Sequence, residues 1–325
     1  MPRALQLTAD FGTRFSVSID TEEEFEWGGA FGREDHSLQS IPALAEGQRF
    51  FETAGVVPVY YVDAPVARHA ATVEALGDAI ATGRCDIGAH LHPWVTPPFV
   101  ETISGHNSFA GNLPPEVEFA KLQHLRDLMR NALGVRPIAY RAGRYGIGPN
   151  TPRLLADAGF RFDSSVRPHF DYSDEGGPDF SQAPLNPYYL GSDERLVELP
   201  LTTVMLGWAP RLGSRLRAAL PRGLRGLTAR AGMQQRIALT PEGIPVALAL
   251  KAIDRALEEG IRLLSISFHS PSLAPGHTPY VRNGSDLDRL YRWFDAVFER
   301  CAKHGVRPAS LSQIQAAMGA TPGTA

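Results

Sequence analysis

The sequence predicts an α/β protein built on one barrel of parallel strands, and three observations carry that expectation. Short β-branched or aromatic runs alternate with amphipathic helical segments along the whole 325-residue chain, the pattern of a parallel sheet with crossover helices. No internal repeat, low-complexity tract or linker divides it, so one domain over 1–325 is expected. Polar residues recur at the C-terminal ends of the predicted strands, where barrels assemble their sites from βα loops.

The strand at 15–20, within FSVSIDTEEEFEW, ends in Asp20, Glu22, Glu23, Glu24 and Glu26. A helix near 40–54 follows Ser40, carries Ile41, Leu44, Ala45 and Phe51 on one face and stops at Gly55. Strand VVPVYYVD comes next. A helix around Val73, Leu76 and Ile80 ends at Gly83 and leads into CDIGAHLH. A longer helix over 115–133, closed by Gly134, precedes strand PIAYRAG, and a short helix in TPRLLADAG precedes FRFDSS. LVELPLTTV reads as one further strand. A helix over 245–259 feeds IRLLSISFHS, and the last helix has Ser285 as its expected N-cap and Gly305 as its stop. Three stretches exceed ordinary connection lengths, 93–114, 165–195 and 205–243, and are expected to be rim insertions that act as lids or binding segments.

Composition narrows the classes. Hydrophobic residues make up 43%, charged residues 21%, and the net charge is -3, an ordinary globular balance with no nucleic-acid footprint. MPRALQLTADFGTRF lacks the apolar core of a secretory leader, and no apolar run approaches the roughly 18 residues of a membrane span. A cytoplasmic location is expected. Cys85 and Cys301, far apart and without metal-type spacing, are expected to be small buried apolar residues.

The chemistry collects at the strand ends. Asp20, Glu22, Asp63, His90, His92, Arg141, Asp163 and His269 all fall there. On a strand, residues two apart share a side, so the HLH of GAHLHPW can aim two imidazoles at one point. With Glu22 or Asp20 they complete a two-histidine, one-carboxylate set that leaves a position open for water. The carboxylate run alone equally describes a solvated acidic loop, and Glu24 is a reserve ligand.

These residues, in this order, resemble the polysaccharide deacetylase family of the NodB-homology fold. The resemblance covers about 15–310 and implies a distorted (β/α)7 barrel with metal-dependent N- or O-deacetylase activity. SIDTEE resembles the family's first motif, in which one Asp is the base and the next a metal ligand. Asp20 matches the base; Thr21 stands in the second position, which makes Glu22 the nearest replacement. IGAHLHPW resembles the second motif: His90 matches its first histidine, Trp94 stands where the second belongs, and His92 has to serve instead. YRAGRYG matches the third motif, with Arg141 holding the base ionised. FDSS resembles the fourth, with Asp163 orienting the acid histidine, and SFHSPS the fifth, with His269 as that acid. The paired departures imply a divergent branch. The implied cofactor is one divalent ion, zinc first, with cobalt, nickel and manganese as alternatives; the implied partner is an acetylated sugar or glycan.

Trp27, Trp94 and Tyr145 flank the motifs and are expected to form a sugar-stacking wall, with structural packing as the alternative for each. Residues 211–236 contain Arg211, Arg215, Arg217, Arg222, Arg225, Arg230 and Arg236 and no acidic residue. With interleaved leucines this is a basic amphipathic segment suited to an anionic membrane surface at the inner leaflet, or else a solvated lid or subunit contact. Competing readings are an amide or ureide hydrolase acting on small molecules and a non-catalytic carbohydrate-binding relative.

Overall fold

Alternation in the first strand sets the architecture. In β1 (Arg14–Thr21), Phe15, Val17 and Ile19 join the core beneath the helices, while Ser16, Ser18 and Asp20 alternate with them and face the interior of the sheet's curl. The computed structural model describes residues 2–25, 29, 31–191, 193–207 and 235–319. After β1 come α1 (Leu44–Thr53), β2 (Val59–Val62), α2 (Ala64–Arg68), α3 (Ala70–Ala81) and β3 (Asp86–Leu91). Next are α4 (Pro115–Leu133), β4 (Ala139–Ala142), α5 (Thr151–Asp157), β5 (Phe162–Asp163), β6 (Tyr188–Leu190) and β7 (Leu196–Glu198). The chain finishes with β8 (Thr203–Leu206), β9 (Gln235–Ala238), α6 (Val246–Glu258), β10 (Leu263–His269), α7 (Gly284–Lys303), β11 (Arg307–Pro308) and α8 (Leu311–Ala316).

The main sheet runs β10-β1-β2-β3-β4-β5-β7-β6, with β11 also on β1. Neighbours from β10 to β7 pair in parallel, and β6 is antiparallel to β7. The sheet curls into a distorted (β/α) barrel. Opposite β1, the gap beside β10 is bridged by backbone bonds from Thr202 N to Ser265 O and from Ser267 N to Leu239 O, at 3.3 and 3.2 Å. Tyr61, Ala139, Phe162 and Val197 fill the interior; Tyr60, Val62, Ala89, Leu91 and Tyr140 pack outward against the helices.

Two local readings need correction. LVELPLTTV forms two strands, because Pro200 lacks an N–H for the ladder and the chain there leaves β5 to reach β10, Leu201 N bonding Val166 O and Thr202 N bonding Ser265 O. The N-cap of α7 is Asn283, whose side chain accepts from Asp286 N at 3.1 Å, so Ser285 falls inside the helix. Gly55, Gly134 and Gly305 stop their helices with φ of 68°, 69° and 69°, a conformation glycine adopts without a Cβ clash. Cys85 and Cys301 are buried and free. Among the described residues no helix is long and apolar enough to cross a membrane. The Arg-rich segment lies outside the described residues except for Gln235 and Arg236.

The stretch after β3 is pinned from beneath. Fully buried Lys121 on α4 places its Nζ 3.0, 2.6 and 2.8 Å from the carbonyls of Pro93, Thr96 and Pro98, and 3.0 Å from Glu101. Lys121→Met leaves those acceptors and a buried carboxylate without their cation. A loss of about 3 kcal/mol or more is expected, read by urea unfolding; an unchanged midpoint would remove Lys121 from this role.

Candidate active site

Parallel register brings the predicted residues together. Asp20 on β1 is the Cα partner of His269 on β10, and His90 on β3 is the partner of Arg141 on β4. Asp20, His90 and Arg141 face the interior, and Glu22, His92 and Gly143 continue the same parity one step beyond the strands. Gly88 is needed beneath them, because a Cβ there would sit 2.5 Å from the ring of Tyr61.

Arg141 is wholly buried. Its guanidinium pairs with Asp20 Oδ1, donates to Ser18 Oγ at 2.9 Å, Ser164 Oγ at 2.9 Å and the Ser164 carbonyl at 2.8 Å, and lies 4.3 Å from the centroid of Tyr61. Burial is the largest single influence and disfavours an ionised Asp20, but Arg141, by its charge and its hydrogen bond, together with His90 and His269 outweighs it and leaves the carboxyl below its ordinary value.

Glu22, His90 and His92 are buried, and one ligand atom from each lies within 4.8 Å of the others. Glu22 Oε2 is 3.3 Å from His90 Nε2 and 3.4 Å from His92 Nε2. The other ring nitrogens fix the tautomers. His90 Nδ1 lies 3.1 Å from the Arg141 carbonyl, which only accepts, so Nδ1 carries the proton and Nε2 is bare. His92 Nδ1 lies 2.8 Å from Glu23 Oε2, and Glu23 also accepts from Trp94 Nε1 at 2.9 Å, which makes it the acceptor toward His92 as well. Burial keeps both imidazoles neutral, lowering His90 and taking His92 to about 4, and raises Glu22 to about 7. Two bare nitrogens thus converge on a carboxyl whose own proton is the sole donor among the three, and none remains once it ionises. A divalent cation relieves that arrangement, and an N2O donor set suits zinc and its first-row neighbours. Thr21, by contrast, turns its hydroxyl back to the Ile19 carbonyl at 3.0 Å.

Three expectations need revision. Trp94 is not part of an open wall: it is 3% exposed, stacks on His92 with ring centroids 4.3 Å apart, and spends its N–H on Glu23. Its place in the motif is support for a ligand. Asp163 does not orient His269. It is the register partner of Tyr140 and Glu198, and Tyr140 packs into the helical layer, so alternation turns Asp163 away from the interior. There it accepts from Ser165 Oγ, which in turn takes Ala142 N at 2.8 Å. The group on His269 is Glu242, with Oε2 2.7 Å from Nδ1 and Oε1 bound by Ser272 Oγ at 2.6 Å. Glu242 sits in TPEGIP with no motif around it, which is why sequence reasoning missed it. Trp27 lies outside the described residues. Glu24 is no ligand here; it accepts from Ser40 N and Ser37 Oγ, and its Oε2 lies 2.8 Å from His277 Nδ1.

These groups surround a cavity of about 190 Å³, lined by buried Asp20, Glu22, His90, His92 and Ala142 and by the more accessible Phe25, Phe31, Arg144, Tyr145 and His269. A larger cavity of about 630 Å³, between residues 241–246 and α7, is mainly apolar and contains none of them. Burial pushes the His269 imidazolium down, but Glu242, Glu22 and Asp20 more than compensate and raise it to about 10.

No protein-family model matches the sequence, and no curated protein does. Solved structures do. A Mycobacterium smegmatis protein assigned as a polysaccharide deacetylase matches over 100% of this chain and 99% of its own, with a TM-score of 0.53 and 18% identity. The 4-alpha-glucanotransferase of Thermococcus litoralis matches 95% of this chain and 41% of its own (TM-score 0.52, 14% identity), and the alpha-amylase AmyC of Thermotoga maritima 95% and 75% (0.51, 9%). This chain shares their fold. At such identities the likeness concerns the fold alone, and it agrees with the resemblance carried by the five motifs, those of a divergent branch.

Two tests follow from the geometry. Glu23→Gln is expected to weaken divalent-metal affinity roughly 10- to 100-fold, measured by competition with a chromophoric chelator; unchanged affinity would mean that His92 needs no such orienter. For His269, the raised folded value means that the stabilisation from its pairing is fully present below about pH 6.5 and lost as pH rises through about 10. Glu242→Gln is expected to move the His269 midpoint in NMR titration well below the wild-type value, and an unmoved midpoint would count against Glu242.

Proposed function

We propose that this protein is a metal-dependent deacetylase hydrolysing the N-acetyl group of a sugar or glycan, with an O-acetyl ester as the related substrate. The observation that carries the reading is the convergence of the bare His90 and His92 nitrogens and Glu22 beside a tethered Asp20 and a cationic His269. Glu22, His90 and His92 would hold the ion, with zinc first among the candidates. When bound there, such an ion polarises an acetyl carbonyl and lowers the pKa of water to about 7.

The chain's own residues supply the proton movements. Arg141 occupies Asp20 Oδ1 and keeps the group ionised, leaving Oδ2 to take a proton from the attacking water. Asp20 Oδ2 lies 3.8 Å from His269 Nε2, so base and acid flank one small volume. Glu242 on Nδ1 leaves the Nε2 proton for the departing amine nitrogen, which is a poor leaving group without it. Arg144 and Tyr145, with φ of 54° and 59°, form a tight turn at the cavity whose backbone N–H groups are suited to a developing oxyanion. Free Cys85 and Cys301 fit the cytoplasm, and the Arg-rich 211–236 segment suits contact with an anionic inner-membrane surface. The modest cavity volume favours a second reading, hydrolysis of a small amide or ureide by the same groups.

The test is metal content by elemental mass spectrometry after metal-free dialysis, followed by acetate release from N-acetylated oligosaccharides. About one ion per chain is expected, with turnover falling roughly 100-fold or more in Asp20→Asn and in His269→Ala while the circular dichroism is unchanged. A protein that neither retains nor regains metal would instead be a carbohydrate binder.

A further inference from the structure

Beyond the reacting groups, the Tyr145 side of the cavity carries positive charge that the proposed chemistry does not use. The Arg167 guanidinium lies 5.1 Å from the ring centroid of cavity-lining Tyr145 and 3.9 Å from that of Phe170, and it donates to the Tyr172 hydroxyl at 3.3 Å. Among the described residues it forms no ion pair. A carboxylate whose charge reaches it, Glu242, is committed to His269 and Ser272. Arg144, the arginine that lines the cavity, is already paired with Glu175. Arg236 lies 3.6 Å from the Phe170 centroid; two guanidinium groups this close to one ring occupy its opposite faces.

A half-buried guanidinium with one neutral hydrogen bond among five donors keeps its remaining donors available for an anion. Stacking on aromatic faces fixes the plane of the group and leaves its edge as a fork, the shape that takes a carboxylate or phosphate in two parallel hydrogen bonds. Because Tyr145 belongs both to the cavity wall and to the Arg167 stack, the fork stands one ring away from the cavity. We infer that Arg167, backed across Phe170 by Arg236, is a subsite for an oxyanion on the substrate. The acetylated sugar therefore carries a carboxylate or phosphate close to its acetamide. This inference rests on the sugar-deacetylase reading of the adjoining site.

Calorimetric titration of the zinc-loaded full-length protein with N-acetylglucosamine, N-acetylglucosamine 1-phosphate and N-acetylmuramic acid tests it. Wild type is expected to bind one acidic sugar roughly 10- to 100-fold more tightly than the neutral one, the range of a hydrogen bond to a charged group. Preference for the phosphate or for the carboxylate identifies the source of the anion. In Arg167→Met the ratio is expected to fall to about one, and in Arg167→Lys, which keeps the charge without the fork, to an intermediate value. No preference in wild type, absence of binding included, overturns the subsite, as does a preference that survives in Arg167→Met. Acetate release is followed on the same samples: anion preference without hydrolysis of any of the three sugars would sink the deacetylase reading and leave the subsite standing.

Discussion

The site depends on one buried cation. Arg141 sits at the bottom of the curled sheet with no exposed surface, and its guanidinium ties β1 through Ser18 and Asp20, the end of β5 through Ser164, and β2 through the ring of Tyr61. A charge taken fully out of water survives only if its donors and its counter-ion are placed for it. The positions of Asp20, Ser18 and Ser164 are therefore as constrained as that of Arg141. The same residue works at its other end, where its carbonyl selects the His90 tautomer. One strand residue therefore fixes both Asp20 and His90, the base and one ligand of the proposed chemistry.

The second histidine is supported differently, by enclosure. Trp94 stacks on one face of His92, Phe25 meets it edge-on at 5.7 Å, and Glu23 accepts a hydrogen bond from its Nδ1. Gly143 closes the remaining side: a Cβ there would lie 2.3 Å from His92 Cδ2. The imidazole can neither tilt nor flip without displacing the turn that carries Arg144 and Tyr145. The orientation of His92 and the shape of the turn that carries Arg144 and Tyr145 are thus linked by contact.

Much of this was legible in the sequence, for a physical reason. Strand parity is local, so HLH was enough to place His90 and His92 on one side, and their rings stand 4.5 Å apart. Parity also explains the misreading of Asp163. The FDSS match aligned it with a motif, but Phe162 occupies the interior position and Asp163 the outward one. Glu242 was invisible because it reaches His269 from a connection whose path is set by tertiary packing; its neighbours Pro241 and Gly243 announce a turn and nothing more. Trp94 was misjudged because an aromatic beside a motif carries the same sequence signal whether it stacks on a ligand or on a sugar. The division of LVELPLTTV followed from a single missing N–H at Pro200.

In both of the first two motifs a candidate ligand stands two residues beyond an interior residue of the same strand, Glu22 after Asp20 and His92 after His90. The donor atoms are thus indexed by the pleat of the sheet, with Glu23 fixed as the support. One residue inserted between Asp20 and Glu22 would turn Glu22 to the side that Glu23 now faces and carry Glu23 one step farther along the chain. Tolerance to added length is therefore expected only beyond Glu24, whose carboxylate is held by Ser37 and Ser40.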